Sequence, residues 1–115
     1  MPTHAELAGK LLIDAAGFFK TLAEQNPDIK TEMAENAGVF EQMSALLIQE
    51  PQGIINDKSH SELAGILLED AAELFSTLAE QNEPIKEQME EEAQVFDQIA
   101  KLVSTEPLGE MDYET

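Results

Sequence analysis

The side chains best suited to chemistry in this chain are two histidines in equivalent settings. His4 lies in Thr3-His4-Ala5-Glu6 and His60 in Ser59-His60-Ser61-Glu62, and the chain has no other histidine. Imidazole binds divalent metals and exchanges protons near neutral pH. Each histidine begins an amphipathic stretch that ends at a glutamate followed by proline, Glu50-Pro51 or Glu106-Pro107. If each stretch folds back on itself, His4 comes near Glu50 and His60 near Glu106. If those ends also pack together, two imidazoles and two carboxylates converge. That donor set suits zinc or another divalent ion. No HExxH or similar spacing supports such a site, and the plainer expectation is that each ring covers one end of the core.

Other polar groups admit narrower readings. Asp14 and Asp70 border the apolar stripe, and Asn36 and Glu92 occupy an inward heptad position. A di-iron bundle needs Glu-x-x-His pairs in mid-helix, and the sequence has none there. A polar residue at such a position more often fixes register or oligomeric state. Glu87, Glu90, Glu91 and Asp97 form an acidic stretch with Glu92. Such a run is a solvated face or a docking surface for a basic protein. A further reading is mimicry of a nucleic-acid backbone. Nothing points to an enzyme: there is no cysteine nucleophile, no glycine-rich phosphate loop and no Ser-His-acid set suggested by spacing.

These groups are positioned by a duplication. Thr21-Leu22-Ala23-Glu24-Gln25-Asn26 recurs as Thr77-Leu78-Ala79-Glu80-Gln81-Asn82, an offset of 56 residues. Laying His4–Gly53 on His60–Gly109 gives 29 identities in 50 positions without a gap. The repeats are therefore 4–53 and 60–109, with a linker at 51–59 and an acidic tail at 110–115. Thr3/Glu6 and Ser59/Glu62 fit the capping box, which predicts helix starts near His4 and His60. Leu7, Leu11, Leu12, Ala15, Phe18, Phe19 and Leu22 then recur at helical spacing, as do Leu63, Leu67, Leu68, Ala71, Leu74, Phe75 and Leu78. Asn26-Pro27-Asp28 and Asn82-Glu83-Pro84 read as second helix starts, with the asparagines as N-caps.

The fold expected is all-α: a tandem duplicated helical hairpin forming an antiparallel four-helix bundle, with helices of about 22 residues. One pattern opposes it. A heptad register runs through Asn26 without interruption, from Ala8 to Leu47, and allows two long kinked helices in an antiparallel coiled-coil hairpin. A mid-helix proline costs about 3 kcal/mol, which favours the turn. In the long-helix alternative His4 and His60 lie at opposite ends and no site forms.

Composition limits the partners. Twenty-four acids against six lysines and no arginine give a net charge of −18. That surface repels nucleic acid and anionic membranes, so basic proteins, cations or further copies of the chain are the expected partners. Gly9 and Gly65 are expected on the outward face, with Ala5, Ala16 and Ala23, where they would admit another helix across a homodimer interface. Ile54 and Ile55 are expected to pack. The absence of cysteine and of a secretory signal pattern makes the cytoplasm the expected location. The function expected is a small acidic interaction or assembly protein, with a divalent-metal bundle as the alternative.

Overall fold

A computed structural model describes residues 3–81 and 83–109. It contains four long helices: α1 (His4–Gln25), α2 (Lys30–Gln49), α3 (His60–Gln81) and α4 (Lys86–Thr105). The chain turns at the repeated phrase, so the hairpin reading holds and the continuous heptad does not make a long helix. Short 3-10 turns, Pro27–Ile29 and Glu83–Ile85, lead into α2 and α4. Pro27 opens the first of these, where its missing N–H leaves no helical carbonyl unpaired.

The capping boxes form as expected. Thr3 Oγ1 accepts from the Glu6 N–H at 3.1 Å, and Glu6 Oε1 accepts from the Thr3 N–H at 2.9 Å. Ser59 and Glu62 make the same reciprocal pair at 3.1 Å each. Asn26 departs from expectation. Its side chain makes no N-cap bond. Instead its Nδ2 donates to the Leu22 carbonyl at 3.0 Å, closing the end of α1. The distorted entry through the 3-10 turn moves the first turn of α2 out of its reach. Asn82 lies outside the described residues, as does the tail 110–115.

Each hairpin packs its own two helices most closely, α1 on α2 and α3 on α4. The hairpins then join around one core that includes Leu12, Phe19, Phe40, Leu47, Leu68, Phe75, Phe96 and Val103, all buried. The Cα envelope measures 37 × 34 × 20 Å. Among the described residues no helix is long and apolar enough to cross a membrane.

Further expectations need correction. Gly9 and Gly65 do not face outward. Both are buried, Gly9 against Ser44 and Ile48 of α2 and Gly65 against Ala100 and Ser104 of α4. The small residues bring the two helices of one hairpin together, and Ser44 Oγ donates to the Gly9 carbonyl at 2.8 Å. Ala5, Ala16 and Ala23 are buried as well, so this surface is not open to another chain. Glu92, expected inward, is exposed.

The linker is held by pairing, not by burial. Ile54–Ile55 (β1) and Lys58–Ser59 (β2) form an antiparallel pair, Ile54 opposite Ser59 and Ile55 opposite Lys58. Asn56 and Asp57 between them have φ of 50° and 73°. Two left-handed central residues are what a tight two-residue hairpin turn requires, and Asn and Asp tolerate that region best. Ile54 remains 66% exposed.

Candidate functional site

Four segments converge at one end of the bundle: the starts of α1 and α3, and the chain just after α2 and α4. His4 and His60 are each 5% exposed. His60 Nδ1 lies 2.7 Å from the carbonyl oxygen of Glu50, and His4 Nδ1 lies 2.7 Å from that of Glu106. The pairing is thus crossed relative to the expectation from sequence. Each histidine binds the glutamate of the other repeat, because the end of α2 leads into the start of α3 and the end of α4 reaches the start of α1. A carbonyl only accepts, so Nδ1 carries the proton in both rings. Each imidazole thereby adds a second donor to a carbonyl beyond a helix end, beside the Gly53 N–H on Glu50 and the Gly109 N–H on Glu106, both at 3.0 Å.

Glycine makes this closeness possible. A β-carbon on Gly53 would stand 2.6 Å from His60 Cε1 and 3.1 Å from Glu50 Oε2. On Gly109 it would stand 2.9 Å from His4 Cε1 and 3.2 Å from Glu106 Oε2. The metal reading of His4, His60, Glu50 and Glu106 finds no coordinating cluster. Among the described residues no group of three or more His, Cys, Asp or Glu side chains is placed to hold an ion. Both Nδ1 atoms are committed to carbonyls, and both glutamate residues are exposed.

A different feature lies along the seam between α1 and α4. Two adjoining cavities of about 330 and 220 Å³ share Asp14. Leu7, Leu11, Val95 and Ile99 supply apolar lining to the first, and Phe18, Phe75, Met89 and Phe96 to the second. The polar lining is Lys10, Asp14 and Gln98 in the first, and Asp14, Gln88 and Glu92 in the second. From Leu7 to Phe18 the groove follows about 16 Å of α1, roughly three helical turns. The repeat has a counterpart between α2 and α3, a cavity of about 290 Å³ whose lining includes Glu32, Met33, Val39, Leu67, Asp70 and Leu74.

The acidic stretch on α4 is not one surface. Glu87, Glu90, Glu91 and Asp97 are all exposed. Helical spacing sets Glu91 beside Gln88, Val95 and Gln98 on the groove side, with Glu87 at its margin, and turns Glu90 and Asp97 to the opposite side. Sequence reasoning reached Asp14 only as a polar residue bordering the apolar stripe, and Glu92 as an inward heptad residue and a member of the acidic stretch. It missed Leu7, Lys10, Val95 and Gln98 as a surface, because the seam between repeats depends on how the hairpins pack. One signal was present: valine recurs at 39 and 95, off the buried stripe, and both copies are exposed.

Among the described residues the Glu62 carboxyl has a perturbed acidity. Its hydrogen bonds from the Ser59 backbone and hydroxyl, with a smaller contribution from the Lys58 charge, hold it below the usual glutamate range. It belongs to the cap of α3, not to the groove. No protein-family model, curated protein or solved structure matches the chain.

Proposed function

We propose that the chain is a non-catalytic interaction protein that holds a basic amphipathic helix of a partner protein in the groove between α1 and α4. The carrying observation is the groove itself: apolar walls three turns long, edged by Asp14 and Glu92, with Lys10 as the one cation among the lining residues. An amphipathic helix laid in such a groove buries its apolar face while its flanking lysines or arginines meet the carboxylates. The net charge of −18 speeds the approach of a basic partner and disfavours acidic ones. The α1–α4 groove is preferred to its counterpart because two cavities follow one another there.

The test uses a synthetic three-turn helix of leucine and lysine, titrated with fluorescence anisotropy. Saturable binding is expected, weakened at least about tenfold by Val95→Asp or by Asp14→Lys with Glu92→Lys. Val39→Asp, in the other groove, is expected to change it little. Equal losses from Val39→Asp and Val95→Asp, or no loss from either, would show that the peptide follows diffuse charge and would refute the groove.

A further inference from the structure

The two repeats meet at two junctions with matching backbone and histidine hydrogen bonds and different covalent structure, the first adding a bond from Ser61 Oγ to the Pro51 carbonyl at 2.7 Å. At one junction the partners are joined through the Ile54–Ser59 hairpin. The His60 N–H donates to the Gly53 carbonyl at 2.7 Å, and the Ser61 N–H to the Pro51 carbonyl at 3.2 Å. At the other junction the partners come from opposite ends of the chain. The His4 N–H donates to the Gly109 carbonyl at 2.7 Å, and the Ala5 N–H to the Pro107 carbonyl at 2.9 Å. The side-chain bonds from His4 and His60 repeat the match at 2.7 Å each.

The second junction forms without a local peptide link, so the repeat–repeat surface recognises its mate by non-covalent contacts. We infer that this surface also accepts a second copy of the chain: repeat 1 of one molecule packs on repeat 2 of another, and the reverse. The exchanged dimer keeps every helix–helix contact and forms each junction twice.

The hinge is residues 54–59. Opening it removes a two-residue strand pair and releases Asn56 and Asp57 from left-handed backbone. Asn56, Asp57 and the flanking residues 54, 55 and 58 are exposed, so no core is disturbed. Proximity is then what keeps a single chain closed. Tethered repeats see each other at an effective concentration of about 1 mM. The exchanged form becomes dominant at far lower protein concentration once the hinge cannot turn. Exchange needs no occupant in the groove and rebuilds the same groove between two chains, so it stands or falls separately from partner docking.

Deleting Ile54–Lys58 keeps the Ser59 cap and leaves one residue between Gly53 and His60, where the tightest common hairpin needs two. Sedimentation of this variant is expected to show a dimer, or a larger closed ring, with wild-type helical content by circular dichroism. A folded monomer would overturn the inference. If the deletion abolishes folding, the pair Asn56→Val with Asp57→Val decides. It keeps the hinge length and places β-branched residues where φ is positive. Its dimer dissociation constant is expected at least about tenfold below that of the wild type, since the tethered effective concentration no longer favours closure as strongly. A variant as monomeric as the wild type at every concentration would sink the proposal.

Discussion

Phe18 and Leu74 occupy the same place in the two repeats, and that difference makes their aromatic contacts unequal. Phe75 of α3 has two ring partners. It meets Phe18 of α1 edge-on, with centroids 5.1 Å apart, and Phe96 of α4 at 5.0 Å. Phe19, its counterpart in α1, meets Phe40 at 5.0 Å but faces Leu74 where a second ring would stand. Duplication supplied a symmetric frame, and a single replacement gave one side of the inter-repeat core an aromatic bridge and the other an aliphatic contact. The bridge also forms part of the wall of the α1–α4 groove, which the α2–α3 groove cannot copy.

The sharpest test of this difference compares Phe75→Ala with Phe19→Ala. Both rings are buried, so each change is expected to cost about 3–5 kcal/mol. Phe75→Ala is expected to cost more, by about 0.5–1.5 kcal/mol, because it removes one additional ring pair. Urea denaturation of both variants measures the gap. Phe18→Leu, which copies the other repeat, should reduce the gap to near zero, and an undiminished gap would show that the bridge is not its source.

A smaller effect separates the two buried glycines. A methyl on Gly9 would come 2.8 Å from Cγ1 and Cδ1 of Ile48, a side chain that is 52% exposed and can shift outward. A methyl on Gly65 would press on Ser104 Oγ and stand 3.1 Å from the Ala100 carbonyl oxygen, which moves only with its helix. Alanine gains about 1 kcal/mol of helix propensity over glycine at either site. At Gly9 that gain offsets most of the crowding. At Gly65 overpacking of about 1–3 kcal/mol prevails. Gly65→Ala is therefore expected to lower Tm and Gly9→Ala to leave it nearly unchanged. Equal shifts would mean that both helix pairs relax alike.

Much of this frame can be read from the sequence, because its causes are local. The capping boxes at Thr3 and Ser59, the proline in each first turn and the stops at Glu50-Pro51 and Glu106-Pro107 act within a few residues of themselves. The crossed pairing of His4 with Glu106 and His60 with Glu50 is different. It depends on which hairpin end passes over which, and both arrangements satisfy the same apolar periodicity. Gly9 illustrates the same limit. Its recurrence announced a close approach, but only the packed hairpin shows that the approaching helix is the next one in the chain. The groove follows suit, since its walls come from different repeats.

The smallest expected effect lies in the caps, where the repeats differ in the charge of the residue just before the box. Both boxes have the same reciprocal bonds. Only the second has a lysine just before its cap, Lys58, where the first has Pro2. The Ser59 bonds lower the Glu62 carboxyl below its usual value, and Lys58 adds to them. The sign follows from where the proton binds. As pH falls, the unfolded chain protonates this glutamate first, at about pH 4.3, while the folded chain still resists. The contribution is therefore complete above that value and disappears as pH drops through the lower, folded one. Glu62→Gln cannot titrate. Its Tm is expected slightly below that of the wild type near pH 6, with the difference closing under acid. Added salt should shrink the part owed to Lys58 and leave the Ser59 bonds in place. Parallel Tm curves for the two proteins across this range would mean that the cap bonds do not favour the charged carboxyl.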